Sequence, residues 1–194
     1  MWLNEVKNLM KRMNIHPDVL DLGIESSTKI GDDEDVMLQN VYRGGRWLKT
    51  PIKGMIISVY NSMCVIINDD KELLVNEIFE YDQTNKPEST PYGLIVTIKG
   101  EHISNVLKPN GSYLFDQWFS YLEYYESEKL FFVRNKQFLY NVISSKTGKL
   151  LFNWRGTPYT IKYVRKHDLY YVQDAPGKWH YIDEYGNETE PKVK

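Results

Sequence analysis

Two histidines lie next to carboxylates in the sequence, and their side chains are well suited to acid–base chemistry. His102 follows Glu101 in the segment GEH, and His167 precedes Asp168 in RKHDL. One imidazole acting as general base and another as general acid would suit a hydrolase or a nuclease. Adjacent residues of a strand point to opposite faces, so proximity in sequence does not make these pairs cooperate. His180 is a third candidate. The alternative to catalysis is that these residues, which lie near predicted hairpin turns, are simply solvated.

Basic and aromatic residues alternate in the segment YRGGRW, a pattern that suits an anionic ligand. Guanidinium groups pair with phosphate through two parallel hydrogen bonds, and aromatic rings stack on bases. The alternative is that these cations only balance the acidic loops, because the formal net charge of the chain is -2. The candidates for a nucleotide or nucleic-acid site are Arg43, Arg46, Trp47, Arg155, Arg165 and Lys166.

The sequence carries no motif for a metal ion or a cofactor, and we expect neither. The acidic segment GDDED at residues 31–35 lacks the spaced carboxylates of a calcium loop, and no HExxH pattern occurs. The phosphate-binding and serine-hydrolase signatures are also missing. The single cysteine, Cys64, lies in the apolar run SMCVII, so we predict a buried hydrophobic side chain.

The composition favours a β-rich globular protein of 194 residues. Aromatic residues make up 14% of the chain, 15 of them tyrosines, and aromatic side chains favour strands. No apolar run approaches the roughly 20 residues of a membrane-spanning helix, and the N-terminus lacks the apolar stretch of a signal peptide. We therefore expect no membrane association and a cytoplasmic location.

The first residues predict a short amphipathic helix, followed by an irregular, partly β cap that extends to residue 53. Apolar residues at positions 2, 6, 9, 10 and 13 form one helical stripe. The segment HPD at residues 16–18 ends the helix, since a residue before proline is pushed out of helical geometry.

From residue 54 onward the sequence repeats with a period of 36 to 40 residues. Apolar runs led by Leu94, Leu130 and Leu169 are each followed by a second run, which begins at residue 105, 141 or 180. A glycine turn comes next, and Trp118 or Trp154 follows in the first two units. Short apolar runs separated by such turns predict hairpins. One unit alone cannot bury its apolar face, so neighbouring copies must pack together.

We therefore predict a mainly β fold of tandem antiparallel β-meander repeats with a short N-terminal α-helix. The repeats form either a partial propeller or a twisted open sheet. The predicted domains are residues 1–53 and 54–194, the second with units at about 54–93, 94–129, 130–168 and 169–194. The aromatic residues expected to anchor the repeats by packing, with base stacking as the alternative, are Trp118, Phe119, Trp154 and Trp179.

The segment GKWHYIDEYGN at residues 177–187 resembles the WG repeat of bacterial and phage proteins. The matching residues are Lys178, Trp179, Tyr181, Ile182, Asp183 and Gly186. His180 stands where that family often has glycine. The resemblance covers about residues 54–190 and implies a β-repeat scaffold, but it brings no catalytic residues with it. It also implies a phage or mobile-element origin, with a role against host defences or in particle assembly, and then a location in the host cytoplasm.

Taken together, these patterns favour a non-catalytic module that binds another macromolecule. An open array of repeats leaves strand edges exposed, which a protein partner or a second copy of the chain would cover. The two alternatives are a nucleotide or nucleic-acid binding protein that uses the arginine and aromatic loops, and a histidine-dependent hydrolase or nuclease.

Overall fold

A computed structural model describes residues 2–12, 46–48, 52–60, 62–70, 72–81, 87–175 and 177–191. It opens with helix α1, Trp2–Arg12, which buries Val6, Leu9 and Met10. Glu5 lies in the first turn, and Lys11 and Arg12 lie in the last, an arrangement that complements the helix dipole. The predicted N-terminal helix is confirmed. No helix in these described ranges is long and apolar enough to cross a bilayer.

Short strands are the main regular elements of the remaining described residues, and neighbouring strands pair in antiparallel orientation. The strands are β1 Arg46–Leu48, β2 Gly54–Tyr60, β3 Met63–Asn68, β4 Phe79–Glu80, β5 Glu88–Thr90, β6 Gly93–Ile98, β7 Ile103–Leu107, β8 Tyr121–Tyr125, β9 Leu130–Arg134, β10 Tyr140–Ser144, β11 Thr160–Val164, β12 Leu169–Ala175 and β13 Lys178–Ile182. The mainly β fold predicted from the sequence is confirmed.

The chain divides into two compact units. The N unit contains residues 1–102 and 106–114, and the C unit contains residues 103–105 and 115–194. The domain boundary that the sequence predicts, after residue 53, adjoins segments outside the described ranges and stays a prediction.

The N unit is built on one sheet with the strand order β1-β2-β3-β4-β6-β5, in which β7 also pairs with β6. Its core is formed by Ile52, Ile56, Cys64, Ile66, Phe79, Leu94, Val96 and Leu107. Cys64 is fully buried, as predicted, and burial raises the pKa of its thiol. A thiol held in its protonated form reacts slowly, so Cys64 is protected for as long as this core stays closed.

The C unit is built on two three-stranded sheets, with the orders β10-β9-β8 and β11-β12-β13. Its core is formed by Leu130, Val142, Leu151, Ile161, Tyr170, Val172 and Ile182. In the second sheet, the buried residues alternate along the strands with residues that face solvent. Such alternation is typical of an antiparallel sheet that covers a core with one face only.

The sequence repeat appears in the structure as one turn that is formed four times. After the second strand of each hairpin, a backbone amide donates to a carbonyl four or five residues later, at distances of 2.8 to 3.0 Å. These pairs are Asn68 to Glu72, Lys108 to Ser112, Ser144 to Lys149, and Asp183 to Asn187. Leu94, Leu130 and Leu169 lie at equivalent places, each at or next to the start of the first strand of its hairpin. The prediction of tandem β-meander repeats is confirmed.

A buried asparagine organises the loop that follows two of these hairpins. Nδ2 of Asn105 donates to the carbonyls of Phe115, at 2.9 Å, and Gln117, at 3.1 Å, while its Oδ1 accepts from the amide of Phe115 at 3.2 Å. Asn141 repeats the first contact, with Nδ2 donating to the carbonyl of Phe152 at 2.7 Å. Both asparagines are essentially inaccessible to solvent. The repeated asparagine therefore satisfies backbone groups that would otherwise be buried without partners.

Candidate functional site

The three candidate histidines lie in different surroundings. His102 belongs to the N unit, where its Nδ1 lies 2.8 Å from Oε1 of Glu80, with the histidine side chain 76% exposed and the glutamate 2% exposed. His167 lies in the turn between β11 and β12 of the C unit. His180 is in β13, opposite Val172.

His167 and His180 are not brought together as an acid–base pair. The stretch of β12 from Leu169 to Val172 alone covers about 10 Å, and His167 lies beyond its start. In the described part of the chain, no group of three or more metal-ligating side chains comes together. Acid–base catalysis by the histidines, which would need no metal, stays a prediction.

Among the candidate basic residues, Arg165 and Lys166 line one cavity of about 510 Å³ together with His167, whereas Arg155 lies in a different loop. Arg155 stabilises its own loop: Nε donates to the carbonyl of Thr157 at 2.9 Å, Nη2 donates to that of Pro158 at 2.6 Å, and the guanidinium lies 3.5 Å from the ring centroid of Tyr159. Arg165 and Lys166 are exposed in the turn before β12. The backbones of Arg46 and Trp47 lie in β1, while Arg43 and the acidic segment 31–35 lie outside the described residues. A nucleotide or nucleic-acid site also stays a prediction.

The four aromatic residues predicted as repeat anchors differ in burial. Phe119 is completely buried, and the centroid of the half-buried Trp154 ring lies 6.5 Å from it. Trp118 is half-buried. Trp179 is 37% exposed, on the surface of the C unit. The amide of Leu151 donates to the carbonyl of Val142, and the amide of Thr189 makes the equivalent hydrogen bond to the carbonyl of Tyr181. When the two repeats are matched at these bonds, Trp179 falls at the position of Tyr140 and not at that of the other repeat tryptophans.

Trp179 belongs to a row of aromatic rings on the solvent face of the sheet β11-β12-β13. Cross-strand partners share a face, and the register places Tyr171 opposite Tyr181 and Trp179 opposite Gln173. The rings of Tyr171 and Trp179 stack with centroids 4.7 Å apart and an angle of 17° between their planes. Tyr181 lies on the other side, also 4.7 Å from Tyr171. The opposite face carries the buried Tyr170, Val172 and Ile182, so the core on one face fixes the position of the rings on the other.

An acidic segment borders this row of rings along the edge of β13. Ile182 pairs with Glu188 in an isolated bridge, and the amide of Thr189 donates to the carbonyl of Tyr181 at 3.0 Å. The row of rings and the acidic segment enclose a groove of about 420 Å³, which we call the aromatic groove. It is lined by Tyr171, Trp179, His180, Tyr181, Glu188, Thr189 and Glu190. The Glu188 side chain is 81% exposed, and its Oε1 lies 4.0 Å from Nε2 of His180.

A second cavity, of about 510 Å³, adjoins the aromatic groove and shares Thr189 and Glu190 with it. Next to it, Nζ of Lys146 lies 2.9 Å from Asp168 and 3.0 Å from Glu184. Partial burial acts to lower the pKa of Lys146, but hydrogen bonds to these two carboxylates outweigh burial and raise it. Hydrogen bonds from Tyr163 and Lys146 lower the pKa of Asp168. Because these charges are paired with one another, the network serves to join the turns of the C unit.

The comparisons with known proteins assign no family. The chain matches no protein-family model, and no curated protein matches its sequence. Among solved structures it is similar to the crystal structure of BamB from Moraxella catarrhalis, with 10% sequence identity and a TM-score of 0.30. The match covers 70% of this chain and 48% of that one, so the chain spans about half the length of BamB. The WG-repeat resemblance stays a prediction.

Proposed function

We propose that this chain is a non-catalytic interaction module that binds a protein partner through the aromatic groove. The observation that supports this most directly is the stacked pair formed by the exposed Trp179 and the half-buried Tyr171, which lies on a sheet whose other face is core. Tryptophan and tyrosine are enriched among residues that dominate binding energy at protein interfaces.

The rigidity of the groove favours binding. Its three rings project from paired strands and pack on one another, so they lose little conformational freedom when a partner covers them. Truncating a tryptophan that acts as a hot spot of an interface costs about 2 kcal/mol or more of binding free energy. A partner protein is therefore our proposal for what covers the groove. A second copy of the chain would also cover it, and the oligomeric state of the purified protein distinguishes the two.

Substitution of Trp179 by alanine tests this proposal. We expect affinity purification of the tagged chain from its native host to recover a specific partner, and we expect Trp179→Ala to reduce that recovery at least tenfold. The matched control is Phe138→Ala, which removes another aromatic ring that is 66% exposed but lies outside the groove. Quantitative mass spectrometry of the three samples measures the effect, and circular dichroism checks that each variant is folded.

Equal recovery of the partner by the Trp179 variant and by the unmodified chain would rule out the groove as the binding site. Light scattering on the purified chain adds the second readout. A stable dimer that Trp179→Ala converts into a monomer of 22.9 kDa would instead assign the groove to self-association.

A further inference from the structure

We propose that the aromatic groove receives a positively charged side chain, an arginine or a lysine, from the protein partner. This inference rests on the proposed function and adds the chemical class of the group that enters the groove. It follows from two properties of the lining residues, their charge and the orientation of their rings.

The charge of the groove is negative. Glu188 and Glu190 contribute carboxylates to its rim, and no lysine or arginine is among the described residues that line it. Glu188 pairs with Ile182, and its largely exposed carboxylate lies 4.0 Å from Nε2 of His180, so the negative charge is at the edge of β13 rather than above the rings. Lys162 lies on the same face of the sheet as the rings, opposite Tyr171. It belongs to β11, however, which is the edge strand farthest from the acidic rim beside β13. A bound cation is therefore drawn toward the edge of β13.

The rings provide the second half of a cation site. The face of an aromatic ring carries negative electrostatic potential, and tryptophan attracts a cation more strongly than tyrosine or phenylalanine does. Trp179 stacks on Tyr171 with one face, and its 37% exposure leaves ring surface open to a ligand. Arginine suits this arrangement especially well, because its planar guanidinium stacks on the ring while its N–H groups donate to a carboxylate.

The same features distinguish a cation from two other ligand classes. Phosphate groups of a nucleotide or nucleic acid would be repelled by Glu188 and Glu190, although the rings alone would suit base stacking. A neutral ligand such as a sugar would stack on the rings and donate hydrogen bonds from its hydroxyl groups to the carboxylates, but it would gain no attraction between opposite charges. A ligand that binds more tightly when it carries a positive charge is therefore distinguished from a phosphate-bearing ligand and from a neutral one.

A titration with short blocked peptides tests the inference. The probes are acetyl-Gly-Arg-Gly-amide, the lysine equivalent, and acetyl-Gly-citrulline-Gly-amide, in which a neutral urea replaces the guanidinium. We expect the arginine peptide to shift the indole N–H resonance of Trp179 in NMR spectra, with an affinity about 5- to 10-fold higher than that of the citrulline peptide. The double variant Glu188→Gln/Glu190→Gln should remove most of that preference, and Phe138→Ala should preserve it.

The possible results distinguish this inference from the proposed function. Equal affinity for the arginine and citrulline peptides, or no detectable binding of either, would overturn the cation site. If Trp179→Ala still abolished recovery of the protein partner, the groove would remain the binding site for a partner of different chemistry. Tight binding of a short oligonucleotide by the unmodified chain but not by Trp179→Ala would overturn both proposals.

Discussion

Replacing Gly93 with alanine should prevent stable folding of the N unit. A Cβ atom added to Gly93 would lie 2.1 Å from the carbonyl oxygen of Leu107, and 2.9 Å from its carbonyl carbon. Both atoms belong to the backbone, so no side-chain rotation relieves the overlap. The φ of Gly93 is +156°, a value that residues with side chains rarely adopt. We expect the free energy of unfolding to fall by about 4 kcal/mol or more.

Thiol labelling of Cys64 measures this effect, because Cys64 is the only cysteine of the chain and lies in the N-unit core. In the unmodified protein, labelling requires opening of that core and should be slow. In the Gly93→Ala variant it should approach the rate of the unfolded chain. Gly156→Ala is the control, since a Cβ atom at Gly156 would have no neighbour within 4 Å and the φ of this residue is not in the glycine-favouring range. Slow labelling of Cys64 in the Gly93→Ala variant would contradict the overlap expected between the added Cβ atom and the backbone of Leu107.

Replacing Asn105 with alanine should destabilise the C unit by about 3 kcal/mol, because several buried backbone groups would lose their hydrogen-bond partners together. The side chain of Asn105 makes three hydrogen bonds to the loop at Phe115 and Gln117. Asn141→Ala should cost less, because the Asn141 side chain donates one hydrogen bond across the loop, to the carbonyl of Phe152, and accepts one locally from the amide of Val142.

Urea denaturation followed by circular dichroism compares these variants. Asn153→Ala is the control, since Asn153 is exposed in the same unit and an exposed substitution typically changes stability by less than about 0.5 kcal/mol. The expected order of midpoints runs from the unmodified chain and Asn153→Ala, through Asn141→Ala, to Asn105→Ala. Equal midpoints for the Asn105 and Asn153 variants would contradict a loop-organising role for the buried amide.

The repeat could be predicted from the sequence because its signals are local. A glycine turn between short apolar runs specifies a hairpin, and recurrence of Leu94, Leu130 and Leu169 at similar intervals specifies equivalent hairpins. The recurrence of Asn105 and Asn141 is also visible in the sequence, but its reason is not. Their partners lie ten or more residues away, in a loop whose path only the folded chain defines.

The aromatic groove could not be predicted, because it depends on register between strands. The sequence shows Trp179 and Tyr181 two residues apart, which places them on one face of a strand. It does not show that Tyr171 is the cross-strand partner of Tyr181, or that Glu188 borders the edge of β13. The tryptophan of a repeat is commonly a packing residue, so the sequence pattern groups Trp179 with the other repeat tryptophans although it occupies a different position in the unit.

Site-specific photocrosslinking from the rim of the groove tests the central claim most directly. A photoreactive amino acid replaces Thr189, which lines the groove, or Phe138, which does not. After irradiation in the native host, position 189 should crosslink to one partner protein, at a segment that contains arginine or lysine, and Trp179→Ala should abolish that crosslink. Crosslinks from position 189 that are no more abundant or specific than those from position 138 would contradict a binding role for the aromatic groove.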